Sequence, residues 1–224
     1  MEEDQRSSVA VKKLKALHDG KLATDVIFVI GADDEITEEI AAIKSDLVLS
    51  SEYFGRLFSS TWTPPNETKI RLRNIDGSTF LLIVEFCTLS GQLVSDVGSL
   101  EECLRLARAA DEFLIRDLSC LCAQMLEDSF LSVDNVWKVM NKHYQINAIT
   151  SPCLKFLSSK SEQCLQHPSF MDARCEAVQL FLSLKKMNIS SELELLDACL
   201  RFLEPHSLYL GKNSGSISCL SCVC

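Results

Sequence analysis

The sequence predicts an α+β chain in which a small sheet flanked by helices is followed by an all-helical half. Three observations carry this prediction. Val26–Ile30 is an unbroken β-branched and aromatic run closed by Gly31, the pattern of a strand buried on both faces. Lys69-Ile70-Arg71-Leu72-Arg73 alternates strictly, the period of a half-exposed strand with Ile70 and Leu72 turned inward. After residue 98 the apolar residues recur only at helical spacing.

At the start of the chain, Val11, Leu14 and Leu17 with lysines between them, then Asp19-Gly20, predict a short amphipathic helix. Residues 35 to 39 are placed as the hairpin partner of the first strand. From Ile40 the period becomes helical, with Ile40, Ile43 and Leu47 on one face. Phe54, Leu57 and Phe58 mark a second short helix, stopped by Pro64-Pro65. Asp76-Gly77 is assigned to a turn, and Phe80–Cys87, apolar almost all round, to a helix at the centre of a domain.

In the second half, Ser99-x-x-Glu102 forms a capping box before Leu100, Cys103, Leu104 and Ala107. Further helices follow through Leu118, Leu121, Cys122 and Met125, then Val136, Trp137 and Met140, then Cys153 to Leu157. His167-Pro168 marks a break before Ala177, Val178, Phe181 and Leu184. A second capping box, Ser191-x-x-Glu194, opens a helix with Leu196, Cys199, Leu200 and Leu203, which Pro205 is expected to stop. The implied organisation is an N-terminal helix region (1–19), an α+β domain (20–127), an all-α domain (128–205) and a disordered Ser/Gly/Cys tail (206–224).

Composition narrows the function classes. The 224 residues carry a net charge of −9, so the basic face that nucleic acid demands is not supplied. The acidic run Asp33-Asp34-Glu35 with Glu38-Glu39 is assigned to a solvated loop and strand edge. The polar, acidic start lacks the pattern of a secretory signal, and apolar runs such as Val26–Ile30 are too short for a membrane span. The expected location is therefore cytoplasmic or nuclear, where the 11 cysteines would be thiols packed as small hydrophobes.

The residue patterns of common enzymes are missing. Gly211-Lys212 lacks the upstream glycine of a phosphate loop. His18, His143, His167 and His206 have no second ligand three or four residues away. Cys120 and Cys122 would lie on different faces of a helix and could not share a metal. Cys219-x-x-Cys222-x-Cys224 has zinc-like spacing but no fourth ligand nearby, and its last pair also fits a prenylated end or an inert tail. The expectation is a non-enzyme with no cofactor and no metal.

A different pattern is present. Asp25-Val26, Ala42-Ile43-Lys44 with Leu47, Ser50-Ser51-Glu52-Tyr53-Phe54, Leu57-Phe58, the Ile70/Leu72 strand, Phe80 to Gly91 and Ala110-Asp111-Glu112-Phe113-Leu114 occur in order. This series resembles the BTB/POZ family. Val133-Asp134-Asn135-Val136 and the stretch from Glu194 to Phe202 are similar to a BACK domain. Together they look most like BTB-domain-containing proteins without kelch repeats. The resemblance implies a homodimer whose first helix packs on the partner chain, with Leu14 and Leu17 as the apolar positions buried there. It also implies that Asp25 and Lys44 are the family's paired charges near that interface, acting either as an intradomain ion pair or in a ligand groove.

Many proteins of this kind bridge a cullin-type ubiquitin-ligase scaffold to a protein substrate, which makes Phe54 and Trp62 the candidate partner-binding residues. Two departures bear on this. The family's usual His is Ile43, and the cullin motif (apolar, any residue, Glu) reads Trp62-Thr63-Pro64. Trp62 supplies either the apolar anchor or a lid folded over Phe58, while Pro64 stands in the acid's place. Two functions follow: a homodimeric adaptor for a cullin ligase, or a scaffolding or transcription-linked oligomerisation module with no ligase role. The polar tail also fits a shortened chain that competes with longer relatives by forming unproductive dimers.

Overall fold

The structure, a computed structural model, describes residues 11–13, 15–16, 19–31, 38–59, 68–93 and 95–210, of which 204–210 by backbone alone. The chain divides into two compact units, one up to Cys122 and one from Ala123.

The first unit holds three strands, β1 (Val26–Ile30), β2 (Glu38–Ala42) and β3 (Lys69–Leu72), in the order β2-β1-β3. β2 runs antiparallel to β1 with Phe28 opposite Ile40, and β3 runs parallel with Phe28 opposite Ile70. Val26, Phe28 and Ile30 are buried, whereas Ile27 and Val29 are only half-buried. The central strand therefore has one dry face rather than the two its composition suggested.

The partner strand also differs from expectation. It covers Glu38–Ala42 rather than residues 35 to 39, so Ile40 is a strand residue and not the start of a helix. Within it Ile40 and Ala42 are buried while Glu39 and Ala41 are exposed, a period of two. The helix begins only at Lys44, whose N–H donates to the Asp25 carboxylate at 2.7 Å. Residues 35–37 lie outside the described part.

Residues 11–13 and 15–16 are helical, and the Lys13 ammonium reaches the Thr88 carbonyl oxygen and lies 3.7 Å from the Asp46 carboxylate. Five longer helices complete this half: α1 (Lys44–Ser50), α2 (Glu52–Leu57), α3 (Gly77–Thr88), α4 (Leu100–Glu112) and α5 (Arg116–Met125). Ser51 caps α2: its hydroxyl accepts from the Phe54 N–H at 3.1 Å and donates to the Phe113 carbonyl at 2.5 Å. One buried hydroxyl thus ties the start of α2 to the end of α4. The expected stop at Pro64-Pro65 lies outside the described residues, and α2 has already ended at Leu57. In α4, Ser99 accepts from the Glu102 N–H at 3.3 Å, and the Glu102 carboxylate returns to the Gly98 N–H at 3.0 Å, one residue before the expected partner. The buried carboxylate of Glu85 in α3 accepts from the Ser95 N–H and hydroxyl at 2.8 and 2.6 Å, which fixes the loop ahead of α4.

Asp76-Gly77 is a helix start rather than a turn. The Asp76 carboxylate accepts from the Thr79 N–H at 2.9 Å and from the Ser78 and Thr79 hydroxyls at 2.5 and 2.8 Å. The short acceptor side chain that suits turns also suits an N-cap. Partial burial alone would raise its pKa; the bonds from Ser78 and Thr79, with Arg105 beside it, outweigh burial and hold it below the ordinary carboxylate range. A depressed folded-state pKa contributes stability above the unfolded value, and that contribution is lost as pH falls through the folded one. Asp76→Asn keeps an acceptor but removes the titration. Because the carboxylate is about half exposed, the expected loss at neutral pH is only about 0.5 kcal/mol. Denaturant midpoints at about pH 7 and about pH 3 should show that the gap between variant and wild type narrows in acid.

The second unit is helical: α6 (Val136–His143), α7 (Asn147–Ser159), α8 (Ser161–Gln166), a 3-10 turn at Pro168–Phe170, α9 (Cys175–Leu182) and α10 (Glu192–Leu210). A π-helical turn, Leu126–Phe130, follows α5 directly. Trp137 sits at the core, its indole N–H donating to the Cys164 carbonyl at 3.0 Å and its rings packed on Phe170 and Phe181. At the start of α10 the Ser191 hydroxyl accepts from the Leu193 N–H at 3.1 Å, not from Glu194 as a capping box would have it. Pro205 does not stop this helix, which runs on to Leu210, so residues 206–210 are helical rather than tail. A proline forfeits the bond to the carbonyl four residues earlier. Here that carbonyl belongs to Arg201, an exposed residue, where water can serve it.

Of the described cysteines, Cys87, Cys103, Cys122, Cys153, Cys164 and Cys199 are buried and Cys120 is exposed. Cys120 and Cys122 thus do lie on different faces of α5. Burial pushes Cys87 and Cys164 up to about 11 and Cys153 to about 12, far from the thiolate form that reacts. Alkylation of the folded chain followed by peptide mapping should label Cys120 quickly and the six buried cysteines only on unfolding.

Candidate functional site

Of the residues singled out in the sequence, Asp25, Lys44 and Phe54 are among those described. Asp25 is exposed just ahead of β1, and its carboxylate holds the Lys44 main-chain N–H at the start of α1. The Lys44 ammonium instead lies over the Phe58 ring, 5.5 Å from its centre. The link between the two residues is thus a helix cap, with the lysine charge turned to an aromatic face. Leu14, Leu17 and Trp62 lie outside the described residues. Phe54, expected at a partner surface, is fully buried. Its ring stacks on Phe113 at 5.3 Å and meets Phe28 edge-on at 5.8 Å. It is a core residue, because α2 is short and turns this position toward the sheet.

Beside it an open groove of about 320 Å³ runs between the end of α1, the start of α2 and the α4–α5 corner. Val48, Leu49 and Leu114 give it apolar walls, and Gly55 leaves its floor without a side chain. Leu49 is 86% exposed and Leu114 44%. At the rim the Arg116 guanidinium donates to the Glu52 carboxylate at 3.1 Å.

Leu114 is held there at a conformational cost. Its φ is +53°, in the left-handed region, where a leucine costs about 1–2 kcal/mol. The reason is the helix end: the Leu114 N–H bonds to the Asp111 carbonyl at 3.1 Å and the Ile115 N–H to the Ala110 carbonyl at 2.8 Å. This is a Schellman ending, which ordinarily takes glycine at that position. Such strain concentrates at functional sites.

Sequence reasoning passed over Leu49 and Leu114, although a signal existed. In Leu47-Val48-Leu49 a short helix can bury only one of three consecutive side chains, and it buries Leu47. Phe113-Leu114 poses the same choice, and Phe113 takes the core.

The second unit contains a Ser–His–Asp set. His167 Nε2 lies 3.0 Å from Asp134, and its Nδ1 accepts from the Ser169 N–H at 3.2 Å with the Ser169 hydroxyl at 2.7 Å. Nδ1 is therefore the acceptor and Nε2 carries the proton toward Asp134. Ser169 is buried, so the ring acts as the cap of the 3-10 turn. Among the described residues no group of three or more His, Cys, Asp or Glu side chains is placed to hold a metal ion, and no helix is long and apolar enough to cross a membrane.

A family model of the BTB/POZ domain matches residues 14–130. The chain belongs to the BTB/POZ family. A second model, BTB And C-terminal Kelch (the BACK domain), matches residues 135–209, so this is a BTB–BACK chain. The BTB and MATH domain-containing protein 15 of Caenorhabditis elegans is 29% identical over 141 residues, covering 62% of this chain and 47% of that protein. Human gigaxonin is 23% identical over 172 residues, covering 74% and 28%. Human Kelch repeat and BTB domain-containing protein 2 is 20% identical over 196 residues, covering 87% and 30%. Among solved structures, the BTB domain of zebrafish PATZ1 is 24% identical with a TM-score of 0.42, covering 57% of this chain and 95% of that one. The chain spans less than half the length of these three curated relatives, whose names include both kelch and MATH proteins. BTB–BACK proteins form an interaction family, and this chain is a protein–protein interaction module of that kind.

Proposed function

We propose that this chain is a homodimeric BTB–BACK adaptor that links a cullin-type ubiquitin-ligase scaffold to a protein substrate in the cytoplasm. The BTB unit self-associates and offers the Leu49/Leu114 groove to the scaffold, and the BACK unit spaces the scaffold from the substrate. The observation that carries the reading is the groove itself: leucines open to solvent, one in a strained conformation, beside an ion-paired rim. Apolar anchors within a polar surround are the makeup of an interaction hot spot. Light scattering of the full chain, followed by pull-down of the N-terminal region of a BTB-binding cullin, tests both parts. A dimer that retains the cullin supports the reading. A monomer at micromolar concentration removes self-association, and a folded dimer that retains no cullin removes the ligase role.

One observation favours the second reading. Pro64 stands where the family's cullin motif has an acid, and losing that charge would weaken the scaffold contact while leaving the dimer intact. In that case the chain is a scaffolding or oligomerisation module, and the dimer without cullin is the result that selects it.

A further inference from the structure

Helix α10 is apolar on two faces. One carries Ala198, Cys199 and Phe202 into the core of the second unit. The other shows Leu193, Leu196 and Leu200 to solvent, 74, 46 and 54% exposed. Their spacing of three and four residues makes a stripe of two helical turns, about 10 Å long. A surface helix needs only one apolar stripe, so the second is left for something else.

Beside this stripe lies a groove of about 280 Å³, with Leu165 and Ile189 behind Leu193. Its walls carry three carboxylates, Glu162, Glu194 and Asp197, against a single cation, Arg201. That cation is already bonded to Asp197 at 3.0 Å, and Glu162 accepts from the Ser190 hydroxyl at 3.1 Å. Glu194 has no ion-pair partner among the described residues. The groove is therefore apolar along its base and negative at its rim.

We propose that this face of the second unit docks a basic amphipathic helix of a partner protein. Leucine-type side chains of that helix pack along Leu193, Leu196 and Leu200, and its lysines or arginines meet Glu162 and Glu194. The helix-in-groove mode lays an apolar helix face along an apolar stripe, and the carboxylates at the rim select a partner of complementary charge. The site lies on a different unit from the Leu49/Leu114 groove and does not depend on cullin binding, so the two proposals can fail separately.

The probe is a fluorescent Leu/Lys amphipathic peptide of about four helical turns, titrated against the full chain by anisotropy, with its Leu/Glu counterpart as control. The Leu/Lys peptide should bind and its counterpart should not. Leu193→Ser and the pair Glu162→Gln/Glu194→Gln should each weaken binding by about tenfold or more, whereas Glu101→Gln/Glu112→Gln, on exposed acids of α4, should leave it unchanged. All of these positions other than the half-buried Glu162 are solvent-exposed, and circular dichroism confirms folding. No binding, equal binding of the Leu/Glu peptide, retained affinity in the groove variants or an equal loss in the α4 variant would each overturn the proposal. A change of oligomeric state in Leu193→Ser would do so as well, because the stripe would then be a contact between copies.

Discussion

Phe54→Ala should destabilise the BTB unit by about 3–5 kcal/mol, the range for removing a buried aromatic ring, and leave the BACK unit folded. The ring is fully buried and lies within 6.4 Å, centre to centre, of Phe28, Phe58, Phe80 and Phe113. Edge-on and stacked aromatic pairs add about 0.5–1.5 kcal/mol each beyond area, so the cavity loses several such contacts at once. A small domain is stable by only about 5–15 kcal/mol, so the loss should bring denaturation of this unit close to ambient temperature. Phe54→Leu, which refills most of the space, should recover more than half of it. Thermal and urea denaturation followed by circular dichroism measure both. If Phe54 were instead a partner contact, its alanine variant would keep wild-type stability and lose only binding.

In the BACK unit, Trp137→Ala should cost a similar amount, about 3–5 kcal/mol, for a second reason besides volume. The indole N–H is the donor to the buried Cys164 carbonyl, and an acceptor left unpaired in the core costs about 1–3 kcal/mol. Trp137→Phe weights the two terms differently: it keeps an aromatic ring against Phe170 and Phe181, loses the donor, and leaves a much smaller cavity than alanine does. Its expected cost is therefore nearer the hydrogen-bond value than the cavity value. Urea denaturation should rank wild type above Trp137→Phe and Trp137→Phe above Trp137→Ala, whereas the Phe54 variant should unfold in a different part of the chain.

The fold class was legible because it rests on periods, and periods survive in a single sequence. The alternation at Lys69–Leu72 and the helical spacing after residue 98 both correspond to elements of the structure. Errors arose where two local signals compete. Glu38–Ala42 reads equally well as a helix start, and only the need of β1 for a hydrogen-bonded neighbour makes it a strand. Asp76-Gly77 suits a turn or a cap, and the apolar helix behind it decides for the cap. Pro205 reads as a helix stop, yet an exposed helix can give up one bond to water without ending.

The candidate site was less legible for a different reason. The resemblance offers Phe54 as a partner contact, yet large aromatic residues are more often core than contact. Leu49 and Leu114 look like further core residues until the register of α1 and the Schellman corner turn them outward. A run of adjacent apolar residues signals that one of them is left outside, but which one is a property of packing.

The proposed partner surface of the BTB unit is the Leu49/Leu114 groove. The most direct measurement is calorimetric titration of the N-terminal region of a BTB-binding cullin into wild type, Leu49→Asp and Leu114→Asn. Both substitutions spare the core: Leu49 is 86% exposed, and asparagine tolerates the left-handed backbone at residue 114. Both should therefore melt close to wild type while binding falls by about tenfold or more. Unchanged affinity in two folded variants would contradict the account.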